Sequence, residues 1–131
     1  MSLFKSTLFM FSILILAACS TQPPAIKKGE SVVHLQAQTG NEMTARRLDQ
    51  QRAQNLTQFQ VSEGKHELEL GLVQMGYQQS QRRCVATLAY DNFMADQRYT
   101  LIEKNSGADL HIALIDSDGK TLTQTRQVAC L

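Results

Sequence analysis

The sequence predicts an all-β domain: a small antiparallel β-sandwich, or a small barrel, of six or seven short strands behind an N-terminal leader and a flexible tether. Three observations carry this. Apolar residues between positions 31 and 127 recur at period two, the repeat of a half-buried strand. Polar turn clusters punctuate them at short intervals: Thr39-Gly40-Asn41, Glu63-Gly64, Asn105-Ser106-Gly107 and Ser117-Asp118-Gly119. Both prolines, Pro23 and Pro24, precede this region, so none interrupts a strand ladder.

In chain order, residues 1–18 have the layout of a signal peptide: Lys5, then a run from Leu8 to Ala18 that is apolar except for Ser12. The run is about half of the roughly 20 residues a bilayer span needs. Leu16-Ala17-Ala18-Cys19 resembles the lipobox of bacterial lipoproteins at all four positions. That resemblance implies cleavage before Cys19, a diacylglycerol on its sulfur and an acyl chain on the new amino terminus. Each buried methylene contributes about 0.8 kcal/mol, so two or three chains on one residue hold a protein to a membrane essentially for good. Ser20 stands where an Asp would retain a Gram-negative lipoprotein at the inner membrane. For a Gram-negative host the resemblance therefore implies an outer-membrane protein facing the periplasm.

Residues 19–30 read as the lipidated cysteine and its tether, polar and proline-bearing, with Lys27 and Lys28 as a solvated pair. Residues 31–131 form the single domain. Ser31–Gln38 is a strand with Val33, Leu35 and Ala37 inward. Segment 42–55, EMTARRLDQQRAQN, has a thin apolar face and reads as an exposed helix or loop. Leu56–Val61 is strand-like. His66–Met75 alternates most clearly, with Leu68, Leu70 and Leu72 against Glu67 and Glu69. Cys84–Asp91 is apolar on both faces, which predicts a central strand. Arg98–Lys104 and Asp109–Asp116 alternate too, and Asp118-Gly119 favours a tight turn into the last strand, Lys120–Gln127.

With Cys19 assigned to lipid, Cys84 and Cys130 remain, and an even pair in an exported domain reads as a disulfide. It closes a loop of about 47 residues and stabilises by roughly 4 kcal/mol on the chain-entropy account. No CxxC motif points to thioredoxin-like redox chemistry. Without Lys5 the 13 basic residues become 12, equal to the 12 acidic ones, and tryptophan is absent. That balance speaks against an electrostatic grip on nucleic acid.

Motifs with possible chemistry fall short of their templates. His66-Glu67-Leu68-Glu69 lacks the second histidine of HExxH and sits in a period-two segment. His34, His66 and His111 lie on separate strands, so no metal site is assigned. Asp116-Ser117-Asp118-Gly119 begins like a calcium loop, but its twelfth position is Gln127 rather than glutamate. GxSxG is absent, and Ser62, Ser80 and Ser106 lie in polar turns. No catalytic residue and no cofactor is assigned. Arg82-Arg83 beside Cys84 reads as a solubilising pair.

The functional expectation is a membrane-anchored envelope lipoprotein, a non-enzymatic accessory module that docks another envelope protein. Its contacts are membrane lipid through Cys19 and that partner, with no nucleic acid. The alternatives are a small-ligand or lipid-binding periplasmic lipoprotein, which needs a hollow between its sheets, and an enzyme, which needs titratable groups converging in a cleft.

Overall fold

The computed structural model describes residues 27–106 and 109–131. Nine strands appear among them: β1 (Glu30–Gln36), β2 (Glu42–Leu48), β3 (Gln51–Arg52), β4 (Gln58–Ser62), β5 (Gly64–Met75), β6 (Gln81–Phe93), β7 (Arg98–Ser106), β8 (Asp109–Ile115) and β9 (Thr121–Gln124). They form two sheets, ordered β4-β1-β7-β8-β9 and β3-β2-β5-β6. The fold is an all-β sandwich, mostly antiparallel. The seven strands expected from period two correspond to β1 and β4 to β9.

Two strands were not expected, and both lie in the segment read as a helix or loop. Its alternation is broken by a β-bulge. Ala45 pairs with Leu70 and Arg47 with Glu69, so Arg46 is an extra residue on β2. Ala45 and Leu48 therefore turn inward three residues apart, a spacing that resembles a helical face. The β2–β3 hairpin closes through Asp49 and Gln50, both with positive φ (50° and 68°), as a type I′ turn requires. Neither residue is the glycine or asparagine that usually marks such a turn.

Two further findings concern neighbours. One pairing departs from the antiparallel pattern: β1 runs parallel to β7. The reason is that β2 leaves for the other sheet, which frees both edges of β1 for β4 and β7. β6 was expected to be central; it is the edge of its sheet. Its outer-face residues Val85, Thr87 and Ala89 are exposed rather than covered.

The core lies between the sheets. Leu68, Leu70 and Leu72 on β5 meet Val33, Phe59, Val61, Leu101, Ile112 and Leu114 from the facing sheet, interdigitated as in other sandwiches. Phe93 closes one end, edge-to-face with Tyr90 and Tyr99 at ring distances of 5.0 and 5.1 Å. β4 hands over to β5 in the other sheet at Gly64, whose φ of +111° is open to glycine and costly for other residues. Among the described residues, all nine strands and every core residue lie within 30–131, so segment 27–131 carries both sheets and the core between them.

The other end is organised by Glu103, buried at 6% exposure. Burial alone raises its pKa. The Gln74 amide, the Gln38 backbone N–H and the Asn41 and Asn105 amides outweigh that and hold it below the ordinary carboxyl value. A buried carboxylate is tolerated because its oxygens are met by donors.

After β9 the chain crosses from one sheet to the other. Val128 N–H donates to the Leu110 carbonyl of β8, and Leu131 and Arg83 of β6 exchange backbone hydrogen bonds of 2.9 and 3.3 Å. The disulfide Cys84–Cys130 forms at the adjacent pair, with the two Cα atoms 4.2 Å apart. That is close to the ~4.5 Å of a non-hydrogen-bonded antiparallel pair.

Candidate functional site

The bulge on β2 has a chemical consequence. Strict alternation sends neighbouring side chains to opposite faces. Here consecutive Arg46 and Arg47 both reach Glu69, their Nε atoms 3.8 and 3.7 Å from the same carboxylate oxygen. Gly71 makes room: a Cβ there would lie 3.2 Å from both Arg46 Cδ and Thr44 Oγ1. The missing side chain lets the arginine stem lie flat on the sheet.

Arg52 from β3 and Arg83 from β6 complete a groove of about 960 Å³ on this outer face, with Leu56 and Val85 among its apolar lining. Arg46 and Arg47 share Glu69, while Arg52 and Arg83 make no ion pair among the described residues. Four arginines thus line one groove, and Glu69 is the only carboxylate paired to any of them among the described residues. The shared Glu69 oxygen is buried while both arginines are exposed at their side chains, and at 3.7–3.8 Å such pairs near a surface add little stability, typically below about 1 kcal/mol.

The open edge of β6 is the second feature. Arg83 bonds outward to Leu131. By the alternation of an antiparallel ladder, Val85, Thr87 and Ala89 also aim their N–H and C=O away from β5. No backbone partner meets them there among the described residues. β6 is 13 residues long, whereas the terminal strands of the other sheet, β4 and β9, have 5 and 4. Long uncovered edges are what folded proteins ordinarily avoid.

A third cluster has the look of a catalytic triad. His66 Nδ1 lies 2.6 Å from Asp49 Oδ2, and Ser62 Oγ lies 3.1 Å from His66 Nε2, beside a cleft of about 480 Å³. The geometry argues against nucleophilic catalysis. His66 Nε2 is nearer the Ser62 backbone carbonyl, at 2.8 Å. A carbonyl only accepts, so this nitrogen donates there, whereas a general base must offer a lone pair to the hydroxyl. Asp49 is drawn into the fold too. Partial burial raises its pKa, and the Glu67 amide and His66 outweigh it, for a net lowering. The cluster locks the β4–β5 corner to the β2–β3 turn.

The structure brings together few of the residues that the sequence singled out. Cys19 lies outside the described residues. Cys84 and Cys130 are joined. His34, His66 and His111 sit on β1, β5 and β8, and no group of three or more His, Cys, Asp or Glu side chains is placed to hold a metal among the described residues. Asp116 Oδ1 accepts the backbone N–H groups of Asp118 and Lys120, so its carboxylate is committed to the hairpin. Arg82 and Arg83, read as one pair, point to different surfaces: Arg83 lines the arginine groove and Arg82 a separate hollow near Gln127. The groove itself was missed because its members come from β2, β3 and β6, and of them only Arg83, in the Arg82-Arg83 pair, had been singled out.

No helix among the described residues is long and apolar enough to cross a membrane. No protein family matches the chain, and neither a curated protein nor a solved structure matches it.

Proposed function

We propose that this chain is a membrane-anchored envelope lipoprotein, held through Cys19 and acting as a non-enzymatic module that docks a partner protein. The observation that carries the docking role is the bare edge of β6 from Val85 to Ala89. An extended segment of a partner can add there as a further strand, gaining main-chain hydrogen bonds without disturbing the sandwich. The filled core favours this over ligand storage. Phe59, Leu68, Leu70, Leu101, Ile112 and Leu114 are at most 1% exposed between the sheets, where a lipid or small molecule would have to sit.

Two experiments test the two halves. Cells given labelled palmitate should label the wild type and not Cys19→Ser; label on the variant, or none on the wild type, removes the anchor. For docking, a photo-crosslinker at Ala89 should capture one defined protein in intact cells. Thr87→Pro should abolish capture while leaving the melting temperature within a few degrees, because the lost N–H points to solvent. Capture unaffected by the proline would refute strand addition.

A further inference from the structure

We infer that the arginine groove on the outer face of the β3-β2-β5-β6 sheet binds phosphate headgroups of anionic phospholipids in the membrane that carries the anchor. The inference rests on the lipoprotein reading of Cys19 and adds a second, electrostatic contact made by the folded domain itself.

Charge complementarity is the first argument. Arg46, Arg47, Arg52 and Arg83 face one groove with Glu69 as their only acidic partner among the described residues. Guanidinium forks match phosphate oxygens in pairs and are weakly hydrated, so they desolvate readily against a headgroup. The apolar lining of Leu56 and Val85 suits the glycerol and upper acyl region beneath the phosphate.

Placement is the second argument. Lys27, where the described chain begins, borders a cleft that also contains Arg52 and Ala53, and both of those line the arginine groove. The cleft at the tether's entry and the groove therefore adjoin at Arg52 and Ala53. Eight peptide units separate Cys19 from Lys27, a reach of at most about 28 Å. A leaflet holding the acyl chains therefore lies within reach of this face, and exposed Lys27 and Lys28 add to its positive field. Gly71 mid-strand, where glycine costs about 0.5–1 kcal/mol relative to alanine, leaves Arg46 room to lie across the sheet.

The test uses segment 27–131, which holds both sheets and the core described between them and omits Cys19, so its outcome is independent of palmitate labelling there. Co-sedimentation with vesicles of phosphatidylcholine and phosphatidylglycerol in a three-to-one mixture is compared with phosphatidylcholine alone, at low salt. Binding is expected to the anionic vesicles only, and to fade as salt is raised and the Debye length shrinks below about 10 Å. Arg52→Gln with Arg83→Gln should weaken it about thirty-fold, the effect of removing two basic side chains beside an anionic leaflet. Both side chains are exposed, and an unchanged melting curve confirms folding. Arg82→Gln with Lys104→Gln removes the same charge elsewhere and should leave binding within about twofold.

Equal binding to both vesicle types would overturn the inference, and this arm needs no variant. So would undiminished binding by the groove variant, or an equal loss in the control. An octaglutamate peptide that binds through Arg52 and Arg83 when vesicles do not would also overturn it, in favour of an acidic protein partner.

Discussion

Reduction of Cys84–Cys130 should lower the melting temperature by about 20 °C. The bond joins residues 46 apart in sequence, and on the chain-entropy account closing such a loop in the unfolded chain contributes about 4 kcal/mol. A domain of roughly 100 residues unfolds with an entropy near 0.2 kcal/mol/K, so that loss corresponds to about 20 °C. The bond also holds the last residues against β6, where Leu131 and Arg83 exchange hydrogen bonds and Val128 donates to Leu110. Calorimetry of segment 27–131 with and without a phosphine reductant reads the first effect. Amide exchange at Leu131 and Val128 reads the second, and both should lose protection before the Leu70 amide does. Comparing oxidised and reduced wild type avoids the packing cost of replacing Cys84, which is 3% exposed. A fall of less than about 5 °C, with Leu131 still protected, would show that the crossing segment holds itself in place and that the entropy argument fails here.

Glu103→Gln should destabilise at pH 7 by about 1–3 kcal/mol, because an amide nitrogen then faces the donors of Gln38, Asn41, Gln74 and Asn105. The folded pKa of Glu103 is lowered, so its contribution is present above the unfolded carboxyl value, near 4.3, and disappears as pH falls through the folded value. The gap between wild-type and variant melting temperatures should therefore narrow from pH 7 to pH 3; a constant gap would contradict the network. Leu70→Ala removes a fully buried side chain from the centre of β5 and should cost about 3–5 kcal/mol in urea denaturation, whereas a loss under 1 kcal/mol would mean a loosely packed core. Gln50→Gly relieves a positive φ of 68° in the β2–β3 turn and should raise stability by roughly 1 kcal/mol; no gain would mean that the turn carries no strain.

How legible each feature was follows from how local its cause is. The alternation of Leu68, Leu70 and Leu72 with Glu67 and Glu69 was readable because the pleat itself sets it. The Asp116–Gly119 hairpin was readable because its turn is made by its own side chain and glycine. Segment 42–55 was not, because one bulged residue, Arg46, turns a period of two into a spacing of three. The Asp49-Gln50 turn carries Asp49 but no glycine after it, so it lacks the Asp-Gly pair that advertises positive φ. β6 misled for a related reason: its apolar outer face suggests cover on both sides, and nothing in Val85, Thr87 or Ala89 records whether a neighbour exists.

From sequence alone came the class of the fold, the run of strands from β4 to β9, the pairing of Cys84 with Cys130, and the expectation of a lipid on Cys19. Only the tertiary structure decided that β1 lies parallel to β7, that β6 is an open edge, and that Arg46, Arg47, Arg52 and Arg83 share one groove. The physical reason is that a strand's two hydrogen-bonding edges are chemically alike. Its side-chain pattern says which face is buried and carries no address for the strand beside it, so a surface assembled from three strands exists only once the sheets have closed.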